Sequence, residues 1–223
     1  MALGLEEGGW CTCSVKMSTL GRFEMKLPHE RWDKGLTYDA YKAGMTRNRE
    51  RVEENERRVT LDPETVRAFR ALPQRLNVLV LAEDWCGDVI ANLPVLGRLA
   101  REAGTLDIRI FYRDQNDDLI EHWLNQGKYK SIPVVVFFDQ QLNEIAHWIE
   151  RPASVTELRA RKRREIYASR PEFGSPDAPV DQLPEDVRAA LQAELAKMRD
   201  ETTPFANAEV QRELRELVTG AKV

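Results

Sequence analysis

A short unbroken apolar run at residues 78–82 is the strongest strand signal in the chain. Consecutive β-branched and aliphatic residues are typical of a strand that is buried on both faces of a sheet. After Asp88 the apolar residues recur at helical spacing, at Val89, Leu93, Leu96 and Leu99. Residues 83–88 therefore lie between the carboxyl end of a strand and the first turn of a helix.

Three further strands follow from the pattern. Residues 106–112 alternate between apolar and polar side chains, and residues 134–138 are a run of valine and phenylalanine. Residues 144–150 alternate again, which predicts an edge strand. The alternation of strands and helices along the chain predicts an α/β domain.

Helix starts are marked by polar residues at fixed spacing. Asp62 followed by Pro63 predicts a capped helix start, and Ser154 with Glu157 has the spacing of a capping box for a helix that ends near Ala168. The polar residues 114–118 predict the start of another helix, which Gly127 would end.

Helices are also predicted on both sides of this core. Residues 38–57 have one apolar face and a highly charged second half, which predicts a single added amino-terminal helix lying across a surface. Near the carboxyl terminus two apolar stripes recur at helical spacing, at Val187, Leu191, Leu195 and Met198, and at Val210, Leu214 and Leu217. Such stripes usually pack on their own domain, and the alternative is a homodimer or another partner contact.

These features divide the chain into five predicted segments. They are a flexible leader at 1–37, a helical addition at 38–58, the α/β domain at 59–170, a proline-rich linker at 171–185 and a helical extension at 186–223. Met17 is a plausible alternative start of the chain.

Composition narrows the classes of function. The 223 residues carry a net charge of −4 with a pI near 5.6, which argues against a general binder of nucleic acid or anionic membranes. The one basic run, residues 159–164, predicts the solvated face of a helix. No apolar stretch approaches the roughly 20 residues of a membrane span. With three cysteines, too few for a secreted disulfide scaffold, a cytoplasmic protein is expected.

Cys86 is the candidate nucleophile. A helix amino terminus has unpaired N–H groups and a partial positive charge, both of which favour a thiolate. The alternative is a buried cysteine that acts as a small hydrophobic residue. The strand-turn-helix context favours the nucleophile, although the nearby carboxylate of Asp88 should raise the pKa of the thiol.

Two motifs resemble the thioredoxin family. Trp85-Cys86-Gly87 resembles its Trp-Cys-Gly-Pro-Cys site, and most closely the bacterial thioredoxin-like variant with aspartate in place of proline. Ser131-Ile132-Pro133-Val134 resembles its Ile-Pro-Thr turn, where the proline is cis. The resemblance covers residues 73–169. It implies a thioredoxin-like fold with a central mixed sheet flanked by helices, a catalytic Cys86, and a substrate groove formed by Trp85, Gly87, Asp88, Ile132 and Pro133.

The departures from that family pattern concern proton and sulfur chemistry. Val89 stands where the family has its second cysteine, and ordinary dithiol reduction needs two sulfurs. The family's buried acid would fall at Val80, unless Glu83 or Asp84 takes over its role.

Cys11 and Cys13 are the candidate resolving thiols, on a flexible arm. Their Cys-x-Cys spacing differs from the usual zinc spacing, and no Cys or His pair complements them, so no metal and no cofactor are predicted.

Two hypotheses of function remain. The first is a thiol-disulfide oxidoreductase that works through Cys86 alone, on a protein disulfide or on a low-molecular-weight thiol such as glutathione, with an external thiol resolving the adduct. The second is a redox-inactive binding or adaptor module with the same fold. The retained Cys86 and Trp85 favour the first hypothesis, and the missing second cysteine favours the other.

Overall fold

Four strands form the central sheet of the computed structural model, which describes residues 25–220. The sheet has the order β2-β1-β3-β4, with β1 (Leu76–Ala82), β2 (Leu106–Tyr112), β3 (Val134–Phe138) and β4 (Glu144–Ile149). β1 pairs parallel with β2 and antiparallel with β3, and β4 is an edge strand. The predicted mixed sheet is confirmed, and so is the burial of β1 on both faces.

Helices surround this sheet. Their bounds are α1 (His29–Trp32), α2 (Tyr38–Gly44), α3 (Arg49–Arg58), α4 (Pro63–Arg70), α5 (Gly87–Ala103), α6 (Asp117–Ile120), α7 (Ala153–Ser169) and α8 (Glu185–Gly220). The helix after Cys86, α5, contacts α3, α4 and α8 as well as β2. The added helices therefore pack directly on the helix that carries the candidate thiol.

The predicted single helix over residues 38–57 is wrong, because the chain leaves the helical path between α2 and α3. The carboxylate of Asp84 accepts hydrogen bonds from the backbone N–H groups of Thr46 at 2.8 Å and Arg47 at 2.9 Å. Asn48 then has a φ of 57°, in the left-handed region, and its side chain donates to the carbonyl of Asp84. The acid that follows β1 thus holds this break in place.

Two other helix predictions need correction. The acidic helix α6 ends at Ile120, well before Gly127. Ser154 does not cap α7, which begins one residue earlier, at Ala153; instead its hydroxyl donates to Glu209 on α8 at 2.6 Å. By contrast the cap at Asp62 is confirmed, because its carboxylate accepts from the backbone N–H groups of residues 64 and 65.

The two carboxyl-terminal stripes belong to one continuous helix, α8. Val210, Leu214 and Val218 are buried in the main core, and Leu191 is buried in a second cluster with Tyr167 and Phe173. The stripes therefore pack on their own chain. The homodimer offered as the alternative stays a prediction. Among residues 25–220, no helix combines the length and the apolar character that crossing a membrane requires.

Residues 25–37, assigned above to the leader, also contribute to the core. Leu27 and Trp32 are buried, and the backbone of Leu36 pairs with Ile110 on β2. The boundaries of the five segments themselves stay a prediction.

Candidate functional site

Cys86 lies between β1 and α5, where it is the amino-terminal cap residue of α5. Its side chain is half-buried, and its Sγ donates a weak hydrogen bond to the carbonyl oxygen of Ile132 at 3.5 Å. The Ile132–Pro133 peptide bond is cis, as predicted. The fold therefore brings the two sequence motifs, which are 46 residues apart, into contact.

Competing effects act on the Cys86 thiol. Burial raises its pKa above the ordinary value, and the negative charges of Asp88 and Glu150 act in the same direction. The backbone N–H groups of Val89 and Asp88 point at the sulfur and favour the thiolate, but they do not offset the burial. The helix terminus is thus present without producing a strongly activated thiol, and Asp88 acts in the predicted direction.

Asp88 forms an ion pair with Arg151, a residue that the sequence patterns did not single out. One amino group of the Arg151 guanidinium donates to Asp88, and the other donates to Glu150 at 2.5 Å. Burial raises the pKa of Asp88, whereas Arg151 favours its ionised form. The strand register explains the position of Arg151, because Val134 pairs with Ile149 and the residues after β4 therefore lie beside Pro133.

The loop at Glu150 holds the Ile132–Pro133 turn in place. The Glu150 backbone has a φ of 65°, and its N–H donates to the carbonyl of Pro133 at 2.7 Å. Asn92 of α5 donates to the Glu150 carbonyl at 2.8 Å. Asn125 donates to the Glu150 carboxylate at 2.7 Å and to Ser131 at 3.2 Å. These hydrogen bonds connect the Glu150 loop to the proline turn, to α5 and to the segment around Asn125. They therefore fix the position of the turn next to Cys86.

Trp85 and Gly87 flank the thiol on its exposed side. The Trp85 side chain is 44% exposed, and the guanidinium of Arg113 lies 5.1 Å from its ring centroid. Arg113 also donates to the carbonyl of Lys130, so it links the tryptophan to the chain leading to the proline turn. A Cβ added at Gly87 would meet no atom within 4 Å, which leaves the approach to the sulfur open.

The structure describes only some of the other residues that were considered for the second thiol or for proton transfer. Val89 is fully buried, so hydrocarbon occupies the position of the second thiol. Cys11 and Cys13 lie outside the described residues. Glu83 and Asp84 are buried, and each accepts hydrogen bonds from loop backbone, Glu83 from the N–H of Asp114 at 2.8 Å. Burial raises the pKa of Glu83. The proton role suggested for these two acids stays a prediction.

A second surface lies beside the residues that flank Cys86, and its lining includes neither Cys86 nor Ile132. It is a cleft of about 910 Å³ between α3, α5, α7 and α8, and we call it the arginine cleft because seven arginines line it. Trp85, Gly87 and Asp88 form the end of the cleft next to Cys86. Over residues 25–220, no set of three or more His, Cys, Asp or Glu side chains is arranged to hold a metal ion.

Comparison with known proteins identifies the scaffold. Two solved structures resemble the chain at 18% sequence identity each, which shows the fold alone. A protein of unknown function from Pseudomonas aeruginosa has a TM-score of 0.60, with 87% of this chain and 98% of that chain covered. An HIV epitope scaffold has a TM-score of 0.58, with 85% and 96% covered.

The sequence comparisons differ in their outcome. No curated protein sequence matches the chain significantly. A family model described as thioredoxin matches residues 35–164, which is more than half of the chain. Together with the mixed sheet and its flanking helices, this match shows that the chain belongs to a thioredoxin-like family.

Proposed function

We propose that the protein catalyses thiol-disulfide exchange through a single cysteine, Cys86. The contact between the Cys86 sulfur and the carbonyl oxygen of Ile132 at 3.5 Å supports this most directly. Within the described chain, the main chain of Ile132 makes no hydrogen bond to other backbone. An extended substrate can therefore pair with this backbone beside the sulfur. Trp85 and Pro133 form the walls of the resulting groove.

The reaction takes two exchanges. The Cys86 thiolate attacks one sulfur of a substrate disulfide, forms a mixed disulfide with it and releases the other sulfur as a thiolate, which takes up a proton from solvent. A second, external thiol such as glutathione then attacks the mixed disulfide in its thiolate form. This step releases a new disulfide and restores Cys86. An external thiol is needed because Val89 has no sulfur.

The environment of the thiol sets the pH dependence. Because burial raises the pKa of Cys86, the thiolate is a minor species at neutral pH, and the exchange rate should rise with pH until it passes this pKa. Once formed, a thiolate with a high pKa is a strong nucleophile, so the enzyme is slow rather than inert.

The test is adduct formation with oxidised glutathione in a protein with Cys11→Ser and Cys13→Ser. Mass spectrometry should show one glutathione on Cys86 at alkaline pH, and reduced glutathione should remove it. The Cys86→Ser variant is the control and should form no adduct. Failure of the folded protein to form the adduct at any pH, while the unfolded protein forms it, would overturn the proposal.

One observation favours a second candidate, a redox-inactive binding module. The Cys86 sulfur is half-buried and its pKa is raised, so the same groove could bind an extended peptide without chemistry. In that case Cys86→Ser would leave binding of a partner unchanged, and no adduct would form in the folded protein.

A further inference from the structure

The charge of the arginine cleft is opposite in sign to that of the whole protein. Its walls contain seven arginines and four acidic residues, whereas the complete chain has a net charge of −4. A positive cleft on an acidic protein attracts and concentrates anions. The basic run at residues 159–164 contributes Arg159 and Arg163 to these walls, so it is only partly the solvated helix face that the sequence predicts.

Some of these arginines already have partners and others do not. Arg57 pairs with Glu54 at 2.5 Å, and Arg151 pairs with Asp88. For Arg159 and Arg199, no carboxylate of residues 25–220 lies within 4.0 Å. These two side chains retain their capacity to bind an external anion.

Arg159 is held in a fixed position. It is half-buried, and its Nε donates to the hydroxyl of Thr202, a buried residue of α8, at 3.3 Å. This contact leaves both terminal amino groups of the guanidinium without an acceptor among the described residues. Burial lowers the pKa of Arg159 and the negative charge of Asp88 opposes this, while Arg151 and Arg199 are near enough to repel Arg159 and lower its pKa further. A bound anion would relieve this repulsion.

The size and position of the cleft fit a small ligand that reaches the thiol. Its volume of about 910 Å³ falls within the range of roughly 300–1,000 Å³ that is usual for small-molecule sites. Ile90, Leu195 and Met198 supply an apolar part of the wall. Trp85, Gly87 and Asp88 also line it and Cys86 does not, so a ligand in the cleft would have to extend past these residues to reach the sulfur.

We propose that the arginine cleft binds the carboxylate-bearing part of a low-molecular-weight thiol or disulfide whose sulfur reacts at Cys86. This inference rests on the function proposed above. Arg159 and Arg199 recognise the carboxylates, because a guanidinium presents a planar fork of donors that matches the two oxygens. The cleft thus selects the substrate class, and the groove at Ile132 positions the sulfur.

Binding can be tested without chemistry. The probe is S-methylglutathione, which has two carboxylates and no free thiol, titrated calorimetrically into the Cys86→Ser protein. We expect binding that weakens about tenfold in each of Arg159→Gln and Arg199→Gln, the loss expected for one charged hydrogen-bonded contact. Binding should also weaken with added salt. Arg199 is exposed, so its variant remains informative if Arg159→Gln impairs folding.

Two matched controls sharpen the result. Arg164→Gln removes the same charge from α7 at an exposed position outside the cleft, and should bind as the parent does. S-methylglutathione with both carboxylates esterified should bind far more weakly than the acid. Equal binding of the acid and the ester, equal binding in all three variants, or no binding at all would overturn the inference. Inorganic phosphate that binds as tightly as the tripeptide would also overturn it, since the cleft would then lack selectivity for this class.

The outcomes separate this inference from the proposed function. If S-methylglutathione binds through Arg159 and Arg199 but the folded protein never forms a glutathione adduct, the cleft is real and the exchange reaction is not. If the adduct forms equally fast in wild type and in Arg199→Gln, the reaction stands and the assignment of the cleft fails.

Discussion

The two sides of Cys86 are built from different parts of the chain and differ in chemistry. The groove proposed at Ile132 and Pro133 lies on the side of the sheet and its connecting turns, and both residues are buried. The arginine cleft on the other side is formed largely by α3, α7 and α8, and is open and positively charged. On the function proposed above, the thioredoxin-like core places the sulfur and the added helices select the molecules that approach it.

The largest effect should come from restoring the missing thiol on the core side. Val89 is fully buried one helical turn after Cys86, where a cysteine would complete a Cys-x-x-Cys pair. In Val89→Cys the second thiol would resolve the mixed disulfide within the molecule. We expect reduction of insulin disulfides, in the presence of a thioredoxin reductase, at least about tenfold faster than in the wild type, because an internal thiol acts at a high effective concentration.

Val89→Ser is the matched control, because it removes the same hydrocarbon without adding a thiol. Both variants should lose stability through the altered core, by about 1 kcal/mol or more, and Val89→Ser should lose more because it also buries a hydroxyl. Insulin reduction by the wild-type protein as fast as by Val89→Cys would show that another cysteine, such as Cys11 or Cys13, already resolves the adduct.

Sequence patterns predicted the groove side well because its signals are local. The apolar run of β1, the cysteine at the start of α5 and the proline before β3 each depend on a few consecutive residues. Strand bounds at residues 106–112 and 134–138 were predicted correctly for the same reason. A buried strand requires its apolar residues to be contiguous, so periodicity finds it directly.

The cleft side was not predicted, because it depends on contacts between distant segments. The break between α2 and α3 follows from hydrogen bonds to Asp84, which is more than 35 residues away along the chain. The basic run at residues 159–164 has the composition of a solvated face, and only the packing of α7 on α8 places Arg159 beside Thr202. No single-segment pattern contains that information.

Gly97 of α5 allows α2 and α3 to pack closely against the core. A Cβ at Gly97 would lie 2.5 Å from the ring of Tyr38, the first residue of α2. Tyr38 also donates to Glu56 of α3 at 2.7 Å. In Gly97→Ala, overpacking should cost about 1 to 3 kcal/mol, of which the better helix propensity of alanine returns about 1. Urea denaturation measures the net loss of unfolding free energy.

Gly97→Ala should also affect the arginine cleft without affecting the Cys86 thiol. Displacement of α2 and α3 should weaken binding of S-methylglutathione in the cleft, while the pKa of Cys86 stays near its wild-type value. Gly44→Ala is the control, since its Cβ would have only an ordinary contact of 3.6 Å with Tyr112. A stable Gly97→Ala protein with unchanged binding would show that α3 does not define the cleft.

The smallest effect concerns Asp88, which lies between the two sides. Its carboxylate raises the pKa of Cys86 and also pairs with Arg151. In Asp88→Asn the negative charge disappears while Arg151 remains, so the pKa of the thiol should fall. A lower pKa leaves more thiolate at neutral pH, so alkylation by iodoacetamide should be faster there, by less than the gain in thiolate because a thiolate of lower pKa is a weaker nucleophile. The measurement is the pH dependence of alkylation with Cys11 and Cys13 changed to serine.

A substitution of Arg151 tests the direction of this effect on the pKa of Cys86. Arg151→Gln leaves the negative charges of Asp88 and Glu150 unbalanced, so the pKa of Cys86 should rise and alkylation at neutral pH should slow. Asp107→Asn is the neutral control, because Asp107 pairs with Asn77 near the start of β1, at the opposite end of the strand from Cys86. A shift in the same direction for Asp88→Asn and Arg151→Gln would mean that packing around the thiol controls its pKa and that these charges do not.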